Sequence, residues 1–182
     1  MDGLQMVWEG NEPTPAPPSG YRLRLRHPGD DPALIALLNR VGWPQWDGEF
    51  LAIRLGMAVT DGWFVVEAPD GGLAASAVAL WSQDIPGGGE LGWVAADPSH
   101  SGRGLGRVVV DAVVAHLVAN GIDRIHLHTD DHRLPALSIY LAGGWRPVVS
   151  DPSISQRWRS VHERLGRSFD PERCPTGLDP TG

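Results

Sequence analysis

The chain has one cysteine, Cys174, among 182 residues, so no disulfide can form within it. It also lacks a C-x-x-C pair or a His/Cys cluster at metal-ligand spacing, and no metal is expected. No apolar run approaches the roughly 20 residues that a membrane-spanning helix needs. The N-terminus carries no basic stretch followed by an apolar core and a cleavage site. A cytoplasmic protein with no membrane partner is the expectation. Positive charge is scarce as well: 15 Lys and Arg stand against 22 Asp and Glu, a net charge of −7. Phosphate backbones are repelled by such a surface, which argues against a nucleic-acid partner and favours neutral or cationic ones. No internal repeat is present.

What the chain does have is the composition of a globular domain: 42% apolar and 20% charged residues, at a length that fits one domain. Residues 1–20 carry four prolines between Pro13 and Pro18 and read as a loosely docked tail. Removing residues 1–19 is on that reading expected to cost less than about 1 kcal/mol. A domain follows over 21–166, and 167–182, with three prolines and little apolar content, reads as a second loose tail. Within the domain, alternation of Leu23 and Leu25 with Arg22, Arg24 and Arg26 predicts a strand over 21–26. Asp31-Pro32 opens a helix over 33–41, broken by Gly42-Trp43-Pro44, and a second helix covers 48–56. Strands at 63–67, 73–81 and 90–96 are separated by Gly/Pro turns. Then come a mostly apolar helix at 105–120, a strand at 124–129, a helix at 134–142, a strand at 145–149 and a helix at 154–165. The order predicts an α/β (α+β) layer whose sheet is mixed and mostly antiparallel.

The segment between the strand at 90–96 and the helix at 105–120 reads Ser101-Gly102-Arg103-Gly104-Leu105-Gly106. Glycine permits sharp turns and close approach of a ligand to the backbone. The first amides of a helix lack internal partners, and with the helix dipole they form an anion site. Arg103 and Arg107 add charge. A plain strand-to-helix turn would look similar in isolation. A Walker A loop is excluded because Gly106-Arg107-Val108 stands where Gly-Lys-Ser/Thr is needed, and Arg107 breaks the dinucleotide fingerprint.

Together, the stretches 90–106, 108–118 and 126–145 resemble the GNAT acetyltransferase superfamily. Gly104 and Gly106 match its loop, with Ser101 at the position where Gln or Arg is usual. Ala136, Tyr140, Gly144 and Trp145 match the pattern of its next helix, with Arg133 where Asn is common. The resemblance implies the family's acyl-CoA N-acyltransferase fold, a splayed sheet flanked by helices. It further implies acetyl-CoA as cosubstrate, lying on Ser101, Gly102, Arg103, Gly104, Leu105, Gly106 and Arg107. The pantetheine arm is expected along Val94, Ala95 and Ala96, and Arg133 beside it. The acceptor is expected to be a primary amine on a small molecule or peptide, and a homodimer is left open.

An amine attacks only when neutral, so a base must take its proton, the developing oxyanion needs a donor, and the thiolate benefits from an acid. The resemblance places Glu90 at the position of a catalytic glutamate and Tyr140 where a phenol can hydrogen-bond the sulfur and, as an acid, protonate the thiolate as it leaves. A solvated glutamate and a packing tyrosine are the competing readings. Trp43 and Trp46, in the break between the first two helices with Asp47 and Glu49 beside them, are candidates to hold a cationic acceptor. Trp63, Trp81 and Trp93 fall on strands and read as core. His126 and His128 share one strand face but have no third ligand near them in sequence. A second functional class is a catalytically weak, acetyl-CoA-binding regulatory module.

Overall fold

The structure is a computed structural model and describes residues 3–43 and 45–178. Pro44 in the expected helix break lies outside the described residues, as do 1–2 and 179–182 of the expected tails. Seven strands form one sheet: β1 (Leu4–Trp8), β2 (Arg22–Leu25), β3 (Ala58–Glu67), β4 (Leu73–Trp81), β5 (Gly89–Ala96), β6 (Ile125–Thr129) and β7 (Trp145–Pro147). Their order is β2-β3-β4-β5-β6-β1-β7, with every pairing antiparallel except β5 with β6. Among the described residues five α-helices flank it: α1 (Asp31–Arg40), α2 (Gly48–Leu55), α3 (Leu105–Ala119), α4 (Leu134–Ala142) and α5 (Pro152–Arg164).

Two apolar clusters explain why β4 reads as a continuous hydrophobic run rather than an alternating one: both of its faces are covered. On one side α3 packs through Val109, Val113 and Leu117 against Ala75, Ala77 and Ala79, with Leu137 and Trp158 completing the layer. On the other, Leu34, Leu37 and Leu38 of α1 and Leu51 of α2 meet Trp63, Val78 and Leu80. Trp63 satisfies its indole N–H on Ser76 Oγ at 2.9 Å. Helix α5 begins where Asp151 accepts the amides of Ser153 and Ile154, and Pro152 occupies its first turn.

Four expectations need correction. The 1–20 segment is not a loose tail throughout. Leu4–Trp8 is a strand inside the sheet, antiparallel to β6 on one side and β7 on the other, with Leu4 and Met6 fully buried. Its end is sealed by Trp8 Nε1 donating to Gly143 O (3.2 Å) and Glu9 N donating to Gly144 O (3.0 Å). The C-terminal segment is also partly anchored: Val149 N donates to Pro175 O at 2.8 Å, and the Phe169 ring lies 4.7 Å from that of His162. Trp81, read as core, is 49% exposed because it ends β4 beyond both layers. Strand β3 is longer than predicted because a bulge at Asp61 (φ 54°) and Gly62 interrupts its alternation.

Candidate active site

Strands β5 and β6 run parallel but are paired only at Gly89↔Ile125 and Glu90↔His126. Beyond Glu90, β5 stays with β4 while β6 follows β1, so the sheet opens into a cleft of about 320 Å³. Glu90 sits at the apex. Gly92, Trp93 and Val94 form one wall, and His128 and Thr129 the other. Ala136 and Tyr140 of α4 approach from one end, and Trp43, Arg54 and Met57 from the other.

A bulge shapes the β5 wall. Ser76 faces Ala95 but Val78 faces Gly92, so Trp93 and Val94 together oppose Ala77. Trp93 takes φ 48°, a left-handed conformation costly for a bulky side chain. Aromatic neighbours hold it there: Trp43 and Trp46 each lie 4.9 Å from its ring, edge-on, and Phe50 lies at 6.0 Å. The Arg54 guanidinium stacks on Phe50 and Trp93 at 4.5 and 5.3 Å.

Glu90 is half-buried. Burial pushes its carboxyl above the usual range; His128 and Arg54 pull it down, and Asp84 pushes it up. Tyr140 is buried, and burial raises its phenol well above the ordinary value. It is therefore a protonated donor throughout the neutral range.

The glycine segment forms an open cradle. Gly102 and Gly104 have φ 76° and 74°, and a Cβ added at either would meet no atom within 4 Å. Gly104 is the N-cap of α3 with no side chain to occupy the first-turn amides. Gly106 serves packing instead: a Cβ there would come 3.0 Å from Ile139 Cδ1. The approach to the cradle is pinned by Asp97, which accepts the Ser99 hydroxyl (2.7 Å) and amide (2.9 Å) and pairs with Arg40. Ser99 first, then Arg40, hold the Asp97 carboxyl below its usual value.

The openness of the cradle makes one substitution decisive. In Gly104→Asp the new side chain has room but must take a positive φ, at a cost of about 1–2 kcal/mol, so the fold is expected to survive with reduced stability. Its carboxylate places a negative charge and a Cβ at the first-turn amides that a pyrophosphate would use. Calorimetry is expected to show coenzyme A affinity falling about a hundredfold or more, equivalent to roughly 3 kcal/mol. Unchanged affinity in the folded variant would rule the cradle out.

The remaining expected residues divide. Ser101 and Arg103 are exposed beside the cradle, with Arg103 Nη1 3.4 Å from Ser99 O. Arg107 instead grips Asp111 through Nε at 2.7 Å and reaches Ala142 O at 3.3 Å, so it ties α3 to the end of α4. Leu105 is buried in the core. Ala95 and Ala96 pair with Ser76 and Ala75 of β4. Val94 O accepts the Trp43 indole N–H at 3.4 Å. The Arg133 guanidinium lies 3.7 Å from the Trp43 ring and pairs with Asp130 at 3.0 Å. Trp43 thus lines the cleft as expected, but Trp46 and Glu49 do not. Trp46 is buried with its backbone clamped by Asn39, where it supports Trp93 from behind, and Glu49 is exposed on the first turn of α2 outside the cleft. Sequence reasoning missed Arg54 and Met57; the Phe50/Arg54 spacing of one helical turn was the available signal.

The sequence profile of the Acetyltransferase (GNAT) family matches residues 34–144. The mycothiol acetyltransferase of Saccharomonospora viridis is 31% identical over 160 residues, covering 79% of this chain and 52% of its own length. That of Thermobispora bispora is 32% identical over 157 residues, covering 73% and 50%. The chain thus spans about half the length of the curated relatives it matches. A GNAT-family acetyltransferase structure from Novosphingobium aromaticivorans superposes with a TM-score of 0.62 at 26% identity, covering 79% of this chain and 58% of that one. A GCN5-related N-acetyltransferase from Sphaerobacter thermophilus shares the fold with a TM-score of 0.65 at 19% identity, over 80% and 49%. With the family profile running from α1 through the cradle to the Gly143-Gly144 turn, the chain belongs to the GNAT acetyltransferase family.

Proposed function

We propose that the protein transfers the acetyl group of acetyl-CoA to a primary amine on a small molecule, by direct attack of the amine. One observation carries this reading: the sheet opens immediately after Glu90, so that a carboxylate with a raised pKa and a protonated phenol line one cleft beside an open phosphate cradle. The mycothiol acetyltransferase relatives favour a small-molecule acceptor over a peptide.

Acetyl-CoA supplies an activated thioester; the chain's residues position it and move the proton. The Gly102–Gly106 backbone and first-turn amides of α3 suit a pyrophosphate, and the side of β5 facing away from β4 suits an extended arm. For that arm to use Val94 O, the Trp43 indole must yield its bond. Glu90 accepts the amine proton, directly or through water, and its raised pKa makes it a better base than an exposed carboxylate. Trp43, Trp93 and Arg54 frame the acceptor end of the cleft. Tyr140 donates a hydrogen bond to the leaving sulfur. Burial keeps Tyr140 protonated through the neutral range, so it can also pass its proton to the thiolate as it leaves.

The test is thiol release from acetyl-CoA across a panel of amines. Amine-dependent release above the hydrolysis background is expected, and its absence across the panel would sink the reading. In the same assay Tyr140→Phe is expected to lower kcat by about tenfold to a hundredfold, the worth of one hydrogen bond to a developing charge. Its melting temperature should stay nearly unchanged. Wild-type turnover would leave Tyr140 as a packing residue. The competing reading, a regulatory module that binds acetyl-CoA without turnover, draws on the Trp43–Arg133 stack over Val94; binding without release in the panel is its signature.

A further inference from the structure

Beyond the cleft apex, β6 presents an H-x-H pair. His126 and His128 are two residues apart on a strand and point to the same side, with ring centroids 5.3 Å apart. The sequence offers no third ligand nearby, but the tertiary fold supplies one. The 82–85 turn that follows β4 brings Asp84 against them, with its carboxylate 2.9 Å from His128 Nε2. Ser82 builds this arrangement: its hydroxyl oxygen accepts the Asp84 and Ile85 amides at 3.1 and 2.8 Å and lies 2.6 Å from His126 Nε2. That contact fixes the orientation of the His126 ring. The ring is fully buried, yet its Nδ1 has no hydrogen-bond partner.

One donor atom from each of Asp84, His126 and His128 lies within 4.8 Å of the other two. An ion between three such atoms is at most about 2.8 Å from each, and zinc bonds of roughly 2.0–2.2 Å need only sub-ångström side-chain adjustment. Two imidazoles and one carboxylate suit zinc, cobalt or nickel rather than magnesium or calcium. Asp84 and His128 are both partly exposed, so an ion could enter and keep a water. A hydrogen bond such as Ser82 makes to His126 is what metal-binding histidines use to fix ring orientation.

We propose that Asp84, His126 and His128 form a binding site for a divalent first-row transition ion, zinc above all, on the β6 wall of the cleft. The site stands whether or not the chain is an acetyltransferase, because its geometry makes no use of acetyl-CoA.

Titration of metal-free, untagged protein with Zn²⁺ by calorimetry, and with Co²⁺ by visible absorption, tests it. One-to-one binding is expected, with Co²⁺ giving the intense bands of a four- or five-coordinate site. His128→Ala and Asp84→Ala, both at partly exposed positions, should each weaken binding about tenfold or more. His132→Ala, outside the cluster, should leave it unchanged. Since His126 is buried, His126→Gln is read only alongside its circular dichroism spectrum. No stoichiometric binding at 100 µM protein, on the order of the weakest specific sites, would overturn the proposal. So would binding that survives both His128→Ala and Asp84→Ala, which would locate the ion elsewhere.

Discussion

Deletion of residues 1–10 is expected to abolish cooperative folding. Leu4, Met6 and Val7 are buried in the strand those residues form, at about 1.5–3 kcal/mol each for burial of a large apolar side chain. The deletion also leaves facing edges of β6 and β7 without a partner, since among the described residues β1 is the strand that lies between them. Against a typical domain stability of about 5–15 kcal/mol, the apolar term alone is comparable to the whole. A broad or absent thermal transition is the expected readout, with dye binding to exposed apolar surface. A sharp transition within a few degrees of the full chain would show that β7 closes onto β6 unaided. This is the reverse of the small cost that the proline-rich composition implies. The prolines belong to Pro13–Pro18, which follow the strand and carry the chain to β2.

Glu90→Gln is expected to lower kcat by roughly 10²–10⁴ at neutral pH, the range for losing a general base. Coenzyme A affinity should barely move, because the cradle lies on a different segment. The pH profile adds a second readout. In the wild type, activity should fall as pH drops through the Glu90 pKa, which burial holds above the ordinary carboxylate value. The Gln variant should lose that limb. Stability should move in the opposite sense. A carboxyl whose folded pKa is raised favours the fold when protonated and costs stability once pH exceeds its unfolded value. At neutral pH the neutral amide should therefore melt at the same temperature as wild type or slightly higher. A loss confined to KM, with kcat intact, would reduce Glu90 to a substrate contact.

Much of this site was legible from sequence because its signals are local. The 105–120 helix shows in its apolar periodicity, and the cradle shows because positive φ at Gly102 and Gly104 needs glycine there. Glu90 and Tyr140 came from the match of spacing to a known pattern, and the structure brings both to one cleft. What stayed hidden depends on distant pairing. Leu4, Met6 and Trp8 alternate over only five residues, too few to outweigh the prolines that follow. Trp46 and Trp81 are equally apolar in sequence, and only the stacking of α1 and α2 on the sheet decides that one is buried and the other exposed. Asp84 and His128 lie far apart in the chain, and the parallel pairing of β5 with β6 sets them side by side. The Trp93 bulge leaves no local trace, since a tryptophan in left-handed conformation runs against its own preference.

The place of β1 in the sheet also fixes an order of events during synthesis. Leu4 pairs with Thr129 and Trp8 with Trp145, so β1 must wait for two strands that are translated long after it. Strands β3 to β5 can zip together as successive hairpins, with β2 joining β3 across α1 and α2, before β6 and β7 have emerged. The half of the sheet that holds the β6 wall cannot close until residues beyond 145 have emerged. Such long-range pairing is slow, and until it happens an apolar strand and an unpaired edge are both available to other chains. Crowded or high-temperature expression should therefore yield aggregates in which the β2–β5 half is already native-like, and slowing translation ahead of β7 should lower the soluble fraction.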